Sequence, residues 1–367
     1  MILNRLSLNN FRNYTAVTVQ FESGINHIIG NNGQGKTNLL ESIYCLGLAK
    51  SFRSNSDSEL IRKSTTEYQV LGEFLSDNNV KHKIGIVATR NKKNIHIDRK
   101  KVQKYSELIG KIPVVLYNPD DHKITAGSPA ERRRWLDIML SQSDHQYLKD
   151  LQVYKRILKQ RNVLLDSISR KEAKKEELFY WNSQFADIAE RIIKRRLEIL
   201  EYIRHEISEY YQLISSSDSH VHINYASTTG LDTLSKHDIE KYINNAIDKE
   251  IAQKTSLYGP HRDDILFLLN EKEVRRYASR GEHKSILLAL KITEFNFLSQ
   301  STGSRPILLL DDIYSELDAN RQKQLLTHLC QLGQTFITTT YQPKIPFSER
   351  DRAFFINDGN IEMRNFT

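Results

Sequence analysis

Hydrophobic spacing divides the chain into three stretches. In residues 1–128 apolar positions mostly alternate with polar ones, as at Val70, Gly72 and Phe74 and again at Ile84, Ile86 and Ala88. A period of two predicts strands with one buried face. Ile25 to Ile29 and Ile112 to Tyr117 predict two further short strands. One helix interrupts them: from Lys36 onward, Leu39, Leu40, Ile43 and Leu46 recur at spacings of three and four. Residues 130–250 change period. Trp135, Ile138 and Met139, then Leu151, Tyr154 and Leu158, then Ile188, Ile192 and Ile193, with dense charge between, predict amphipathic helices. Residues 255–367 return to alternating helix and strand and end in a hairpin, Phe354-Phe355-Ile356 against Ile361, turned at Asp358-Gly359. No internal repeat and no sustained heptad appears, so no long coiled coil is indicated. Ser215 to Ser219 reads as a surface loop.

The boundary between the Ile25–Ile29 strand and its helix carries the strongest chemical signal. Gly30-Asn31-Asn32-Gly33-Gln34-Gly35-Lys36-Thr37 has the spacing of a phosphate-binding loop, and Asn38 continues into the helix. Successive backbone N–H groups and the helix N-terminus would face phosphates. Lys36 would reach the β- and γ-phosphates of ATP, and the Thr37 hydroxyl would sit on Mg²⁺. Far downstream, the apolar run Ile307 to Leu310 ends in Asp311 and Asp312. Such a buried strand places Asp311 to hold the same Mg²⁺ and Asp312 to polarise an attacking water. Between them stands Ser279-Arg280-Gly281-Glu282, ahead of a helix with Ile286, Leu287, Leu290 and Ile292. Taken alone, Ser-x-x-Glu is a capping box. A capped helix with glycine in its first turn is also an anion site. In ABC-type ATPases the Ser-x-Gly-Gln/Glu signature touches the γ-phosphate held by the other subunit, which makes Ser279 and Gly281 candidates for that contact.

Composition narrows the setting. The chain has 367 residues, 39% hydrophobic and 27% charged, ordinary for a globular protein of two or three domains. No apolar stretch reaches the length of a membrane span, and the first residues lack a signal-peptide layout. Cys45 and Cys330 are too few and too far apart for a disulfide scaffold, so the expectation is a reducing cytoplasm with no membrane partner. The net charge of +8 suggests a polyanionic partner. Two clusters concentrate that charge. Arg90, Lys92, Lys93, Arg99, Lys100, Lys101 and Lys104 stand against Asp98 alone. Lys155, Arg156, Lys159, Arg161, Arg170, Lys171, Lys174 and Lys175 stand against Asp166 and Glu172. Phosphate-backbone contacts need such density and no base-reading side chains, although charge runs are usually solvated faces.

Several segments together resemble the RecF family. They are Leu8 to Tyr14, Gly30 to Glu41, Ser51-Phe52-Arg53, Asn118-Pro119-Asp120-Asp121, and Gly127 to Asp137 (GSPAERRRWLD). Leu158 to Asn162, Gly259 to Asp264 (GPHRDD), Leu309 to Asp312 and Ser315 to Asp318 complete the set. The resemblance covers nearly the whole chain and is weakest at 200–250. It implies an α/β fold: an ABC-type ATPase head of mixed sheets with flanking helices, plus a compact, mainly helical second lobe. The head would comprise residues 1–128 and 251–367, with 129–250 inserted between. It implies a recombination mediator related to SMC heads, acting in DNA repair, replication and the SOS response. Such a protein dimerises with ATP on double-stranded, gapped or single-stranded DNA and hydrolyses ATP slowly with DNA stimulation. It works with RecR and RecO to load RecA. Position by position, it assigns Ser279 to the partner's γ-phosphate and Asp318 to the dimer interface. It assigns Thr339 or Thr340 to a switch, and Arg12 and Arg53 to phosphate. His261 and Arg262 are read as members of a structural loop network that positions the Asp263–Asp264 turn.

The chain departs from the family at Gly281-Glu282-His283-Lys284, where Gly-Gln-Gln-Arg is usual. Lysine at 284 keeps charge but loses the planar fork of arginine. Asn118 and Asp120 occupy the region where many SMC-like heads place a metal-sensing glutamine. Two rival readings are a transporter ABC cassette, which needs no such long interval from Lys36 to Ser279, and a non-hydrolysing scaffold, against which Asp311 and Asp312 argue.

Overall fold

The computed structural model describes residues 1–230, 235–316, 332–341 and 349–364. Asp318 and Cys330 lie outside the described residues. Along the chain run β1 (Ile2–Phe11), β2 (Tyr14–Gln20), β3 (Ile25–Ile29) and α1 (Lys36–Leu48). Next come β4 (Glu67–Leu75), β5 (Lys81–Thr89), β6 (Lys93–Ile97), β7 (Lys100–Lys101) and β8 (Val114–Tyr117). Helices follow: α2 (His122–Ala126), α3 (Pro129–Ser143), α4 (His145–Ser169) and α5 (Leu178–Ser215). Then stand β9 (Val221–Ala226), α6 (Lys236–Asn245), α7 (Ile247–Gln253), β10 (Asp264–Leu269), β11 (Lys272–Glu273) and α8 (Val274–Tyr277). The last described elements are α9 (Arg280–Thr302), β12 (Ile307–Leu310), β13 (Thr335–Thr339), β14 (Arg352–Asn357) and β15 (Asn360–Arg364).

These elements form two compact units. One comprises Met1–Asp121, Leu213–Ser216 and Leu287–Thr367; the other comprises His122–Gln212 and Ser217–Ile286. The second unit therefore runs beyond the anticipated 129–250 on both sides and takes in the serine signature.

Among its described residues the first unit holds two six-stranded sheets. One is an antiparallel sheet of order β2-β1-β4-β5-β6-β7. Its single buried face explains the alternation at Val70, Gly72 and Phe74. The other has order β15-β14-β3-β13-β12-β8 and is parallel except for the terminal hairpin. Strands β3, β13 and β12, and β8 at the sheet's edge, are buried at every residue, as parallel strands covered on both faces must be. Helix α1 packs against β4, β5 and β1 of one sheet and β8 and β13 of the other. That placement accounts for its apolar character all round: only Thr37 and Asn38 escape burial. The hairpin turns at Asp358-Gly359 as expected, with Asn357 paired to Asn360.

Among the described residues of the second unit, five helices of seven or more residues accompany a three-stranded antiparallel sheet of order β11-β10-β9. Strand β9 falls within the stretch read as helical. Its alternation, Val221 and Ile223 inward, is too short to register among charged helices, and its partner β10 begins at Asp264, far along the chain.

The structure corrects one nucleic-acid candidate here. Arg161 is fully buried. Its Nε donates to Asn182 Oδ1 at 2.9 Å, Nη1 to Ser256 Oγ at 2.6 Å, and Nη2 to Glu250 Oε2. Its guanidinium also lies over the Phe185 ring. A charge spent this way braces α4 against α5 and α7 and is out of reach of DNA. Removing one partner of a buried ion pair strands the other charge, at about 3–5 kcal/mol. Arg161→Ala is therefore expected to lower unfolding free energy by about that much in urea titrations. A loss below about 1 kcal/mol would contradict this reading.

Candidate nucleotide site

Strand β3 ends at Ile29, and the loop to α1 carries the phosphate-binding motif. Gly33 and Gly35 have φ of 82° and 115°, left-handed values that a side chain would strain. A Cβ on Gly35 would also stand 2.6 Å from Asn13 Nδ2, and one on Gly30 2.5 Å from the Ile356 carbonyl oxygen. The loop is braced from outside. Asn13 Nδ2 donates to the Gln34 carbonyl at 2.9 Å and Tyr14 Oη to the Gly35 carbonyl at 2.9 Å. The hairpin turn contributes the Asp358 N–H, which donates to Gln34 Oε1 at 2.5 Å. Asn13, Tyr14 and Gln34 hold the loop's shape, a role no motif announces. Asn31, Asn32 and Gly33 stay exposed.

Lys36 Nζ curls onto the loop, donating to the Gly30 and Asn31 carbonyls at 2.7 and 3.0 Å. Burial lowers its pKa, opposed by the charges of Asp312 and Asp311. Thr37 Oγ1 donates to Asp311 at 2.9 and 3.0 Å from its two oxygens. Two residues 274 positions apart thus meet at the C-terminal end of the parallel sheet. Burial pushes the Asp311 carboxyl above the usual aspartate range, while hydroxyl donors from Thr338 and Thr37 pull it back. Asp312 is half-buried with φ of 53°. The switch candidates separate: Thr339 Oγ1 donates to the Tyr341 carbonyl, and Thr340 is exposed. The threonine on Asp311 is Thr338, at 2.7 Å. Sequence reasoning missed it, although on β13 it shares a face with Phe336 beside Leu310.

Magnesium takes few protein ligands and completes its shell with water and phosphate oxygens. A buried carboxylate beside a threonine hydroxyl that retains lone pairs fits that demand. Among the described residues no cluster of three metal-binding side chains competes with it.

The arginine candidates diverge. Arg12 is held by Glu41 through Nε and Nη2 at 2.8 and 2.7 Å, while Nη1 donates to the Glu59 carbonyl at 2.8 Å. It braces α1, correcting the phosphate assignment. Arg53 is exposed, donates to Asn38 Oδ1 at 3.0 Å, and its charge favours ionised Asp311. Asn118 and Asp121 form their own turn: Asn118 Nδ2 donates to Asp121 Oδ1 at 3.1 Å, and Lys291 pairs with Asp121 at 3.3 Å.

In the second unit, the Ser279–Glu282 capping box is present: the Ser279 N–H donates to Glu282 Oε2 at 2.7 Å, and the Glu282 N–H to Ser279 Oγ at 3.3 Å. Glutamate thus closes the capping box that the Ser-x-x-Glu spacing predicts. The GPHRDD stretch is a structural hub. Arg132 clasps Asp264 at 2.7 and 2.9 Å, Arg133 reaches the Asp263 carbonyl, and Arg196 the Pro260 carbonyl. Asp263 accepts from the Tyr225 hydroxyl at 2.6 Å. His261 Nδ1 lies 2.5 Å from Tyr154 Oη, and its Nε2 lies 3.2 Å from the Ser256 carbonyl.

Of the basic candidates, Arg90, Lys92, Lys100, Lys101, Lys155 and Lys159 are exposed. Lys93 is a correction: its side chain is 7% exposed and pairs with Asp57 at 2.7 Å. It also donates to the Ala49 carbonyl at the C-cap of α1 at 2.8 Å, a stabilising place for a cation.

The arrangement is that of an ABC-type ATPase head, and the family model described as RecF/RecN/SMC N terminal domain matches residues 2–359. A DNA replication and repair protein RecF from Lacticaseibacillus casei (strain BL23) is 39% identical over 350 residues, covering 93% of both chains. Another, from Staphylococcus carnosus (strain TM300), is 35% identical over 98% of this chain and all of that relative. The chain belongs to the RecF family. A solved structure of the recombination mediator protein RecF-ATP in the RecFOR pathway superposes with a TM-score of 0.92 at 31% identity, covering 99% of this chain and 97% of that one. The Smc head domain from Pyrococcus furiosus shares the fold at a TM-score of 0.57 and 18% identity.

Burial depresses the His261 pKa from 6.5 to about 4. The folded state therefore binds fewer protons than the unfolded chain between those values. Stability from neutral His261 is complete above pH 6.5 and is lost as pH falls towards 4, by roughly 3 kcal/mol. Denaturant titrations across that window are expected to show the decline and its flattening in His261→Gln. An equal pH slope in both proteins would refute the assignment.

Proposed function

We propose that the chain is an ATP-dependent DNA-binding recombination mediator with slow, DNA-stimulated ATPase activity, acting in the cytoplasm. The observation that carries this reading is the Thr37 hydroxyl seated on both oxygens of Asp311. It joins a phosphate loop to an acidic strand end in the order that P-loop ATPases use. The loop N–H groups and Lys36 bind the triphosphate of ATP, and Thr37 and Asp311 would hold Mg²⁺. When bound, Mg²⁺ would offset the negative charge of the phosphates. Asp312 accepts the proton of the attacking water, and Arg53 adds positive charge near the phosphates.

Ser279 and Gly281 act on the nucleotide of a second copy, so ATP joins two protomers, with Asp318 at their interface and Thr340 near the γ-phosphate. Hydrolysis removes the shared contact and releases the dimer. Exposed Arg90, Lys92, Lys100 and Lys101, with Lys155 and Lys159, meet the DNA backbone at double-stranded, gapped or single-stranded regions. RecR is the direct partner, with RecO and RecA downstream; the RecFOR pathway named for a solved relative supports a link to RecO and RecR.

Two experiments test this. Light scattering is expected to show an ATP-bound dimer that persists in Asp312→Asn and never forms in Lys36→Met. A monomeric Asp312→Asn protein in ATP, or nucleotide-dependent dimers of Lys36→Met, would contradict the site. Replacing Arg90, Lys92, Lys100 and Lys101 by glutamate should weaken DNA binding and flatten its salt dependence by about one unit of slope per lost phosphate contact. Unchanged affinity and slope would remove β5–β7 from the DNA surface.

A further inference from the structure

Strand β13 carries three threonines, and they behave differently. Thr335 Oγ1 donates to the Gly333 carbonyl and Thr339 Oγ1 to the Tyr341 carbonyl, the local backbone bonding usual for this residue. Thr338, fully buried, reaches across to the end of β12. Its hydroxyl donates to Asp311 Oδ1 at 2.7 Å and accepts the Asp312 N–H at 2.8 Å. One oxygen atom thereby touches both acidic residues of the site.

Each bond answers a specific physical need. Pairing between β12 and β13 stops at Leu310 and Ile337, so the Asp312 N–H lies past the ladder. Asp312 also has a left-handed φ of 53°, a region that few non-glycine residues occupy. The Thr338 oxygen takes up that N–H and stabilises the bend. Its proton fixes one oxygen of Asp311 while Thr37 spans both, so the carboxylate plane is set from two sides.

We infer that Thr338 is a positioning residue for hydrolysis: it orients Asp311 for the metal and shapes the backbone turn that directs Asp312. The inference rests on the nucleotide reading above and extends it to a residue outside the phosphate loop, the acidic pair and the serine signature. Serine retains both hydrogen bonds, whereas valine keeps the shape and β-branching and loses them.

The test compares Thr338→Val and Thr338→Ser with the parent chain. In nucleotide-free protein, amide hydrogen exchange across 311–316 should quicken in the valine variant and match the parent in the serine variant. ATP affinity without divalent cation should stay within about twofold, while Mg²⁺ enhancement of that affinity falls about tenfold in valine. Turnover should fall at least as far with little change in KM, and serine should restore it to within a few-fold. A valine variant with parental exchange, Mg²⁺ dependence and turnover overturns this inference alone. Equal losses in valine and serine also overturn it, since packing rather than the hydroxyl would then matter. A parent protein with no Mg²⁺-dependent nucleotide binding overturns the functional reading, and this inference with it.

Discussion

The hydrogen bond from Thr37 to Asp311 is the constraint on which the site depends. It closes a span of 274 residues, and the parallel sheet is what makes that closure geometric rather than accidental. Strands β3, β13, β12 and β8 run side by side in one direction, so their C-terminal ends share an edge. The phosphate loop leaves one of those ends and the acidic pair leaves another. Ligands of open parallel sheets bind outside the carboxyl ends of the strands for this reason. Helix α1, packed between two sheets, fixes Lys36 and Thr37 on a rigid element, which positions a site better than a loop does.

Charge in this protein divides into structural and available groups, and linear sequence does not distinguish them. Arg161 and Lys93 belong to basic clusters along the chain, yet one is enclosed with Glu250 and the other caps α1 beside Asp57. Arg12 likewise ends on Glu41. The exposed remainder, such as Lys92 and Lys159, carries the surface field. Burial of an ion pair is decided by residues far along the chain, here Glu250 and Ser256 for Arg161. No local pattern announces it.

What was readable from sequence follows the same division. Phosphate loop, acidic strand end, capping box and terminal hairpin are each encoded within about ten neighbouring residues, and each was legible. Strand β9 was not, because its partner begins at Asp264, and a short alternation among helical charges lacks the length to stand out. Thr338 was overlooked for a related reason: one of several adjacent threonines, it is distinguished only by which neighbour β13 acquires in the sheet. The second compact unit ends at Ile286, inside the continuous helix α9, where periodicity does not change.

We propose that Thr37 and Asp311 act as one Mg²⁺-binding pair. A double-mutant cycle on Mg²⁺-dependent ATP affinity, using Thr37→Val, Asp311→Asn and the double variant, measures their coupling. Coupled residues predict a double variant little worse than the poorer single variant, with an interaction energy of about 1–3 kcal/mol. Strictly additive losses, with coupling under about 0.5 kcal/mol, would mean that the two residues act independently.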